Sequence, residues 1–278
     1  MQIKNIKDYE SVKKMLREID FSSAFIHSDI VFGFAFERGL SVKEMLQAHY
    51  LALKELLDGK PVWVPTFCYD FTTTGQYDVQ NSPSQVGVFT EYFRTHIAKW
   101  RSATPVFSFA GDDEPPQMFT GKITDPFDEK SLFHASIEKD AIIIGYGLNT
   151  ISEAVTIMHY CERVSGKIYY RYDKLFHGTV SDGGQLREVT LKYHVRPKNC
   201  YLAYDFLRLE SELINAGILK IVSGNRFDFI CLRVRDLSNF WTQKLQEDAL
   251  YLLDSQSRKW IEPELQRLGR PFMLSDFE

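Results

Sequence analysis

V-P-T-F-C-Y-D-F (Val64–Phe71), N-S-P-S-Q-V-G-V-F-T-E-Y-F-R (Asn81–Arg94) and R-S-A-T-P-V-F-S-F-A-G (Arg101–Gly111) are the most informative block of this chain. An apolar β run at Val62, Trp63 and Val64 breaks at Pro65 and passes into polar and aromatic residues. The turn residues Gly75, Asn81 and Pro83 follow, then an amphipathic helix pattern from Val86, then a second apolar run after Pro105. Two strands ending in hydroxyl, aromatic and basic residues predict the rim of a ligand cleft.

Working outward, Val12, Met15, Leu16 and Ile19 give helical spacing over Tyr9–Ile19, and a strand is expected over Ser23–His27. Ser41 with Glu44 three residues on has the form of a capping box, which starts a helix running to about Leu57. The run from Ala141 to Gly145 suits a strand buried on both faces. It leads through G-Y-G-L-N-T to a helix carrying Thr156, His159 and Glu162. Alternating strands and helices predict an α/β fold with a three-layer α/β core over about residues 1–165. The remainder, about 166–278, reads as a mostly antiparallel C-terminal α+β lobe. Its expected elements are strands at Lys167–Tyr172 and Glu188–Val195 and a helix over Tyr204–Ala216. A hairpin follows, Ile218–Val222 with Phe227–Val234 turning at Gly224-Asn225, then a helix from about Leu237. No repeat, low-complexity tract or linker separates the halves, which predicts one compact body.

The 278 residues give ample length for a core. A net charge of −4 and a pI near 6.0 argue against a nucleic-acid partner, which needs a basic face. An aromatic share of 14% allows both a well-filled core and a pocket for a sugar-like ligand. Cys68, Cys161, Cys200 and Cys231 stand singly, the pattern of reduced thiols. With neither a signal-peptide pattern nor a membrane-length apolar run, the expected location is cytoplasmic, with no membrane partner.

His159 falls in the first turns of a helix after a buried strand, where ligands collect beyond strand carboxyl ends. Glu162 shares its helix face and could orient the imidazole. The alternative is a buried histidine bonded to a backbone carbonyl. His27 closes the first strand and is followed by Ser28 and Asp29, a ligand-facing place. The turn of Gly145, Gly147, Asn149 and Thr150 lacks the order of a dinucleotide or P-loop site, so it reads as a tight connection. Arg101 and Ser102 sit on the rim, where Arg101 suits phosphate or simply the surface. There is no G-x-S-x-G, no H-E-x-x-H and no clustered metal-ligand motif, so no metal is expected.

In series, these segments resemble the antibiotic N-acetyltransferase family, typified by the aminoglycoside 3-N-acetyltransferases. The likeness runs from F-I-H-S-D (25–29) through V-P-T-F, N-S-P-S-Q-V-G and R-S-A-T-P-V-F-S-F. It continues through D-P-F-D-E-K-S-L-F (125–133) and A-I-I-I-G-Y-G to H-Y-C-E (159–162). Y-Y-R-Y-D-K-L-F-H-G (169–178) and Y-D-F-L-R-L-E (204–210) extend it more weakly. The resemblance implies acetyl transfer from acetyl-CoA (coenzyme A) to an amine of an aminoglycoside or related amino sugar. It implies catalytic roles for His159, Glu162 and His27, with His27 as an oxyanion or substrate contact. It implies a coenzyme A channel lined by Ser28, Asp29, Ile30, Val31, Phe32, Gly33, Thr66, Phe67, Arg101, Ser102, Phe107 and Ser108. It leaves the oligomeric state open.

A neutral imidazole is well matched to deprotonating an ammonium near pH 7. Cys161, two residues after His159, is not paired with it, so direct attack without an acyl-enzyme is the simpler expectation. This chain departs from the family pattern at Thr104, where a histidine is usual, at Asp29, where a serine is usual, and in a longer G-Y-G to His159 spacing. Two other readings stay open. One is acylation of a nucleotide-linked or glycan-precursor amino sugar with another acyl-CoA. The other is a non-catalytic relative that binds coenzyme A or a sugar.

Overall fold

The computed structural model describes residues 9–30, 39–116, 123–223 and 228–278. Its helices are α1 (Tyr9–Arg17), α2 (Val42–Leu56), α3 (Phe71–Thr74), α4 (Val88–His96), α5 (Leu132–Glu138), α6 (Met158–Ser165), α7 (Phe206–Asn215), α8 (Val234–Glu247) and α9 (Ser255–Leu268). Its strands are β1 (Ala24–Ser28), β2 (Val62–Pro65), β3 (Gln76–Asp78), β4 (Trp100–Arg101), β5 (Phe109–Gly111), β6 (Ile123–Thr124), β7 (Ile142–Leu148), β8 (Tyr172–Asp182), β9 (Gln185–Val195), β10 (Lys220–Val222) and β11 (Asp228–Arg233).

Seven strands form a mixed central sheet in the order β10-β11-β7-β1-β2-β5-β4. The middle three, β7, β1 and β2, run parallel, and the flanking strands are antiparallel. Strand β7 is buried along its whole length, as its continuous apolar run requires. Side chains alternate across the sheet. Ala24, Ile26, Val62 and Val64 pack on one face with α1, α2 and α4. Phe25, Trp63 and Ile143 pack on the other with α5, α6, α7 and α8. Helix, sheet and helix are therefore the three layers. The Ser41–Glu44 capping box forms: Ser41 Oγ accepts from Glu44 N at 3.3 Å, and Ser41 N donates to Glu44 Oε2 at 2.8 Å.

A second sheet, in the order β3-β8-β9-β6, is built on the long antiparallel hairpin of β8 and β9. Asp182 pairs with Gln185 across a two-residue turn, and both turn residues, Gly183 and Gly184, have positive φ (57° and 82°). That is the backbone of a type I′ turn, which glycine adopts without penalty. The β strand expected at Lys167–Tyr172 instead begins at Tyr172 and runs ten residues further.

The hairpin expected after Ile218 forms as β10 and β11, but it extends the central sheet, antiparallel to β7, rather than staying in a separate lobe. The reason is its apolar content: Phe229, Ile230, Cys231 and Leu232 are all buried and complete both faces of the sheet. Its expected turn at Gly224-Asn225 lies outside the described residues. Conversely, β3 and β6 from the first half border the second sheet. Helices α5 and α9 were not legible in the sequence pattern.

Candidate active site

The parallel strands β1, β2 and β7 end together, as ligand sites in α/β sheets require. At their carboxyl ends lies a cavity of about 480 Å³. His27, Ser28, Asp29 and Ile30 from the end of β1, and Pro65, Phe67 and Tyr69 after β2, line it. Leu148, Glu153 and Thr156 close a third side, and Val86 to Phe89 bring in the N-terminus of α4. No side chain caps that helix, whose N-cap is Gly87. An uncapped helix start offers free amides and a partial positive charge. The Oγ of Ser28 is buried with no hydrogen-bond partner among the described residues.

His27 shares Phe25's face of β1 and points to the α6 side of the sheet. Burial lowers its pKa to about 4, against the opposing effect of its hydrogen bond to the Glu153 carbonyl. The ring is therefore neutral near pH 7. Its one N–H is spent on that carbonyl, so the other nitrogen is an acceptor. In this tautomer that nitrogen carries a lone pair.

One turn beyond Thr156, whose carbonyl accepts from His159 N at 3.1 Å, begins the second part of the site. Glu162 is buried at the hub. Its Oε2 accepts from His159 Nδ1 at 2.8 Å and from His194 Nε2 at 3.0 Å. Its Oε1 accepts from the Tyr170 hydroxyl at 2.6 Å and the Tyr204 hydroxyl at 2.8 Å, with Arg171 Nε at 3.4 Å. Arg171 also donates to the Tyr204 hydroxyl and lies 5.6 Å from that ring's centroid. Burial alone would raise the Glu162 pKa. The Arg171 charge and the two imidazole hydrogen bonds overcome it and hold the carboxyl well below its usual range. Burial likewise lowers His194 to about 4 and lowers His159, in each case against the pull of Glu162.

With Nδ1 of His159 donating to an ionised carboxylate, its Nε2 carries the lone pair, and 23% of the side chain remains exposed. No partner of that nitrogen occurs among the described residues. This is the geometry of an oriented general base. Phe127 packs on it, 5.3 Å from both His159 and His194 by centroid. Phe127 in turn touches Phe107 (4.7 Å), and Phe107 touches Phe67 (5.4 Å) on the cavity wall. A continuous run of rings thus joins His159 and the cavity.

His159, Glu162 and His194 present three potential metal-ligand atoms within 4.8 Å of one another. The donor separations of 2.8 and 3.0 Å are hydrogen-bond lengths, and Arg171 already serves the carboxylate as its cation. The set fits a hydrogen-bonded cluster better than a metal centre.

A family model described as aminoglycoside 3-N-acetyltransferase matches residues 58–246, more than half of the chain. The chain belongs to the aminoglycoside 3-N-acetyltransferase family. This is a family of enzymes, and the protein is one of its acyltransferase-like members. Solved structures share the fold. AAC-IIIb in a binary complex with CoASH has a TM-score of 0.66 at 16% identity, covering 86% of this chain and 96% of that one. A histidine-to-alanine mutant of the aminoglycoside acetyltransferase AAC(3)-IVa, in complex with a gentamicin, has a TM-score of 0.65 at 19% identity, covering 93% and 95%. The YokD protein from Bacillus subtilis has a TM-score of 0.63 at 13% identity, covering 89% and 95%. A search of curated protein sequences finds no match.

In this 3-N-acetyltransferase family member, the residues singled out from sequence fall in different places. His27, Ser28, Asp29, Ile30 and Phe67 line the cavity, and His159 with Glu162 forms the adjacent cluster. Thr66, Arg101, Ser102 and Ser108 sit behind the wall with their polar atoms engaged. Arg101 donates to Thr66 Oγ1 (3.1 Å), Thr66 O (2.7 Å), Val79 O (3.1 Å) and Ser82 O (2.5 Å), which ties three segments together. Ser108 Oγ donates to Thr66 O at 2.6 Å, and Ser102 Oγ accepts from Phe109 N at 3.0 Å. Each of the four makes hydrogen bonds inside the chain in this conformation. Phe107 is a wall ring behind Phe67. Val31, Phe32 and Gly33 lie outside the described residues.

The Gly145–Thr150 turn is not an anion cradle either. The Glu210 carboxylate accepts from Ile151 N at 3.1 Å and from Thr150 Oγ1 at 3.3 Å, and so occupies that place. Thr104 lines a separate narrow crevice with Asp125 and Asp128. Cys161 is fully buried, and burial pushes its thiol up to about 12, so it is no nucleophile.

Sequence reasoning missed His194, Arg171, Tyr170 and Tyr204. The signal for Arg171 was present as a charge inside Y-Y-R-Y. His194 was hidden by its phase: it alternates with the side of the buried Val189 and Leu191 and the partly buried Tyr193, and falls where a solvent-facing residue is expected. Helix α6 covers that position instead.

Proposed function

We propose that this protein is a coenzyme A-dependent N-acyltransferase that moves an acetyl group from acetyl-CoA to an amine of an aminoglycoside or related amino sugar. The observation that carries this reading is the His159–Glu162 contact of 2.8 Å, which leaves one imidazole nitrogen free to act as a base. The relatives solved with CoASH and with a gentamicin lend support on the donor and acceptor sides.

The residues present fit the donor. Ile30, Val86, Val88, Phe89 and Leu148 make an apolar slot suited to the neutral pantetheine arm. Ser28 Oγ and the acceptor nitrogen of His27 suit its amides, and the uncapped α4 N-terminus suits phosphate. Acetyl-CoA supplies the activated acyl group. His159 takes the proton from the acceptor ammonium at Nε2, and Glu162 keeps Nδ1–H in place while the imidazolium forms. Ser28 Oγ–H and backbone amides at the cavity are the available donors for negative charge on the acyl oxygen. Cys161 takes no part: the amine attacks the thioester carbonyl directly, the C–S bond breaks as the C–N bond is made, and the coenzyme A thiolate leaves with the second amine proton.

Charge in the described cavity walls favours a cationic acceptor. The described cavity walls carry the carboxylates of Asp29 and Glu153 and neither Lys nor Arg. Acidic walls attract a polyamine. A mass-spectrometric product screen with several acyl-CoAs, against aminoglycosides and nucleotide amino sugars, tests both. Acetylated aminoglycoside is the expected product. Acylation confined to the nucleotide sugars overturns the acceptor assignment.

A further inference from the structure

The puzzle of this site is that a bare carboxylate 2.8 Å from an imidazole draws a proton onto it and destroys the free base. Burial of His159 is the largest force against that protonation, and the surroundings of Glu162 add to it. Two ionised groups meet at the centre of the cluster, Glu162 and Arg171, and their side chains are 1% and 8% exposed. The groups facing them are His159 on α6, His194 on β9, and the Tyr170 and Tyr204 hydroxyls. Both hydroxyls are held in their neutral form by burial. Arg163, one residue on, is turned to Asp125 (3.0 Å) and Asp173 (2.6 Å). Arg196 acts on His159 from beyond β9 with the same sign as Arg171. The cluster is therefore electrically neutral at its centre while His159 is unprotonated.

We propose that Arg171 is a positioning residue for the reaction: its buried guanidinium cancels the charge of Glu162, so the carboxylate aims His159 without protonating it. Tyr204 couples the two, because its hydroxyl accepts from Arg171 and donates to Glu162 Oε1. The division of labour is between the two carboxylate oxygens. Oε1 meets the guanidinium and the phenols, and Oε2 meets the imidazoles. The kinetic consequence of this inference rests on the acyltransfer reading, while the charge balance itself does not.

The test follows the His159 imidazole by NMR titration in the wild-type protein, Arg171→Met and Arg171→Lys, alongside the pH dependence of kcat/KM for acyl transfer. In the wild type His159 is expected to be neutral at pH 7. In Arg171→Met the protonation of the His159–Glu162 pair is expected to move up by at least about one pH unit, tenfold in ionisation constant. The acidic limb of kcat/KM should move with it, while KM for the acyl donor stays unchanged. Arg171→Lys, which keeps the charge, should restore the wild-type position. An unshifted Arg171→Met, or a lysine variant shifted as far as the methionine one, overturns the proposal and leaves Arg171 a packing role. If Arg171→Met does not fold, Arg171→Gln takes its place with the same expected direction, and no shift there is equally contrary. Wild-type His159 titrating above pH 7 overturns it without any variant. Absence of acyl transfer in the wild type counts against the proposed function alone, since the NMR titration still reads the charge balance.

Discussion

His159 Nδ1 and Glu162 Oε2 meet at 2.8 Å from adjacent positions on one face of α6, and this contact decides which imidazole nitrogen is free. With Nε2 as the base, His159→Ala should lower kcat/KM at least about 10²-fold while the folded state persists, because general-base removal typically costs that much. Steady-state thiol release from acetyl-CoA, with circular dichroism on the same sample, checks it.

Replacing the hub has a different signature. Glu162→Ala leaves the Arg171 guanidinium buried without its anion, a change that costs about 3–5 kcal/mol. For a chain of this size that corresponds to a fall in Tm of roughly 10 °C. Thermal unfolding should show the loss in Glu162→Ala and little of it in His159→Ala. Equal melting of both variants would mean that the carboxylate is less buried electrostatically than its contacts indicate.

The same burial makes stability depend on pH. His27 and His194 have folded pKa values lowered from 6.5 to about 4. A histidine depressed on folding contributes stability that is full above the unfolded value and is lost as pH falls from 6.5 toward 4, since the unfolded chain takes the proton first. Each contributes on the order of a few kcal/mol. Urea midpoints should therefore drop steeply between about pH 6.5 and 4.5, and the His27→Asn, His194→Gln double variant should flatten that slope. A wild-type midpoint constant over this range would show the two rings to be accessible.

Because Arg171 already serves Glu162 as a cation, chelation should leave the enzyme intact. Activity and Tm after dialysis against EDTA are expected to equal those of the untreated protein. A loss restored by zinc would convert His159, Glu162 and His194 from a hydrogen-bonded cluster into a metal site.

How far the sequence reached is instructive in particular places. The A-I-I-I run made β7 legible because a strand buried on both faces needs no alternation. Three-residue spacing made the His159–Glu162 pair legible, because helix geometry alone brings such neighbours together. His194 and Arg171 were not legible as partners of Glu162, since their approach depends on the β8–β9 hairpin folding across α6. The place of β10 and β11 in the central sheet was hidden for the same reason: local pattern fixes a hairpin but not which edge it joins. Arg101 could be read from sequence as a phosphate ligand or a surface residue, and its four oxygen partners within the chain depend on tertiary contacts that no local pattern carries.

The most direct measurement is mass-spectrometric quantification of acetylated aminoglycoside after incubation with acetyl-CoA, made in parallel with the wild-type protein and the folded His159→Ala variant. The account predicts an acetylated product from the wild type and at least about a hundredfold less from the variant. No acetylated product from the folded wild type across the aminoglycoside panel, or equal product from both proteins, would contradict it.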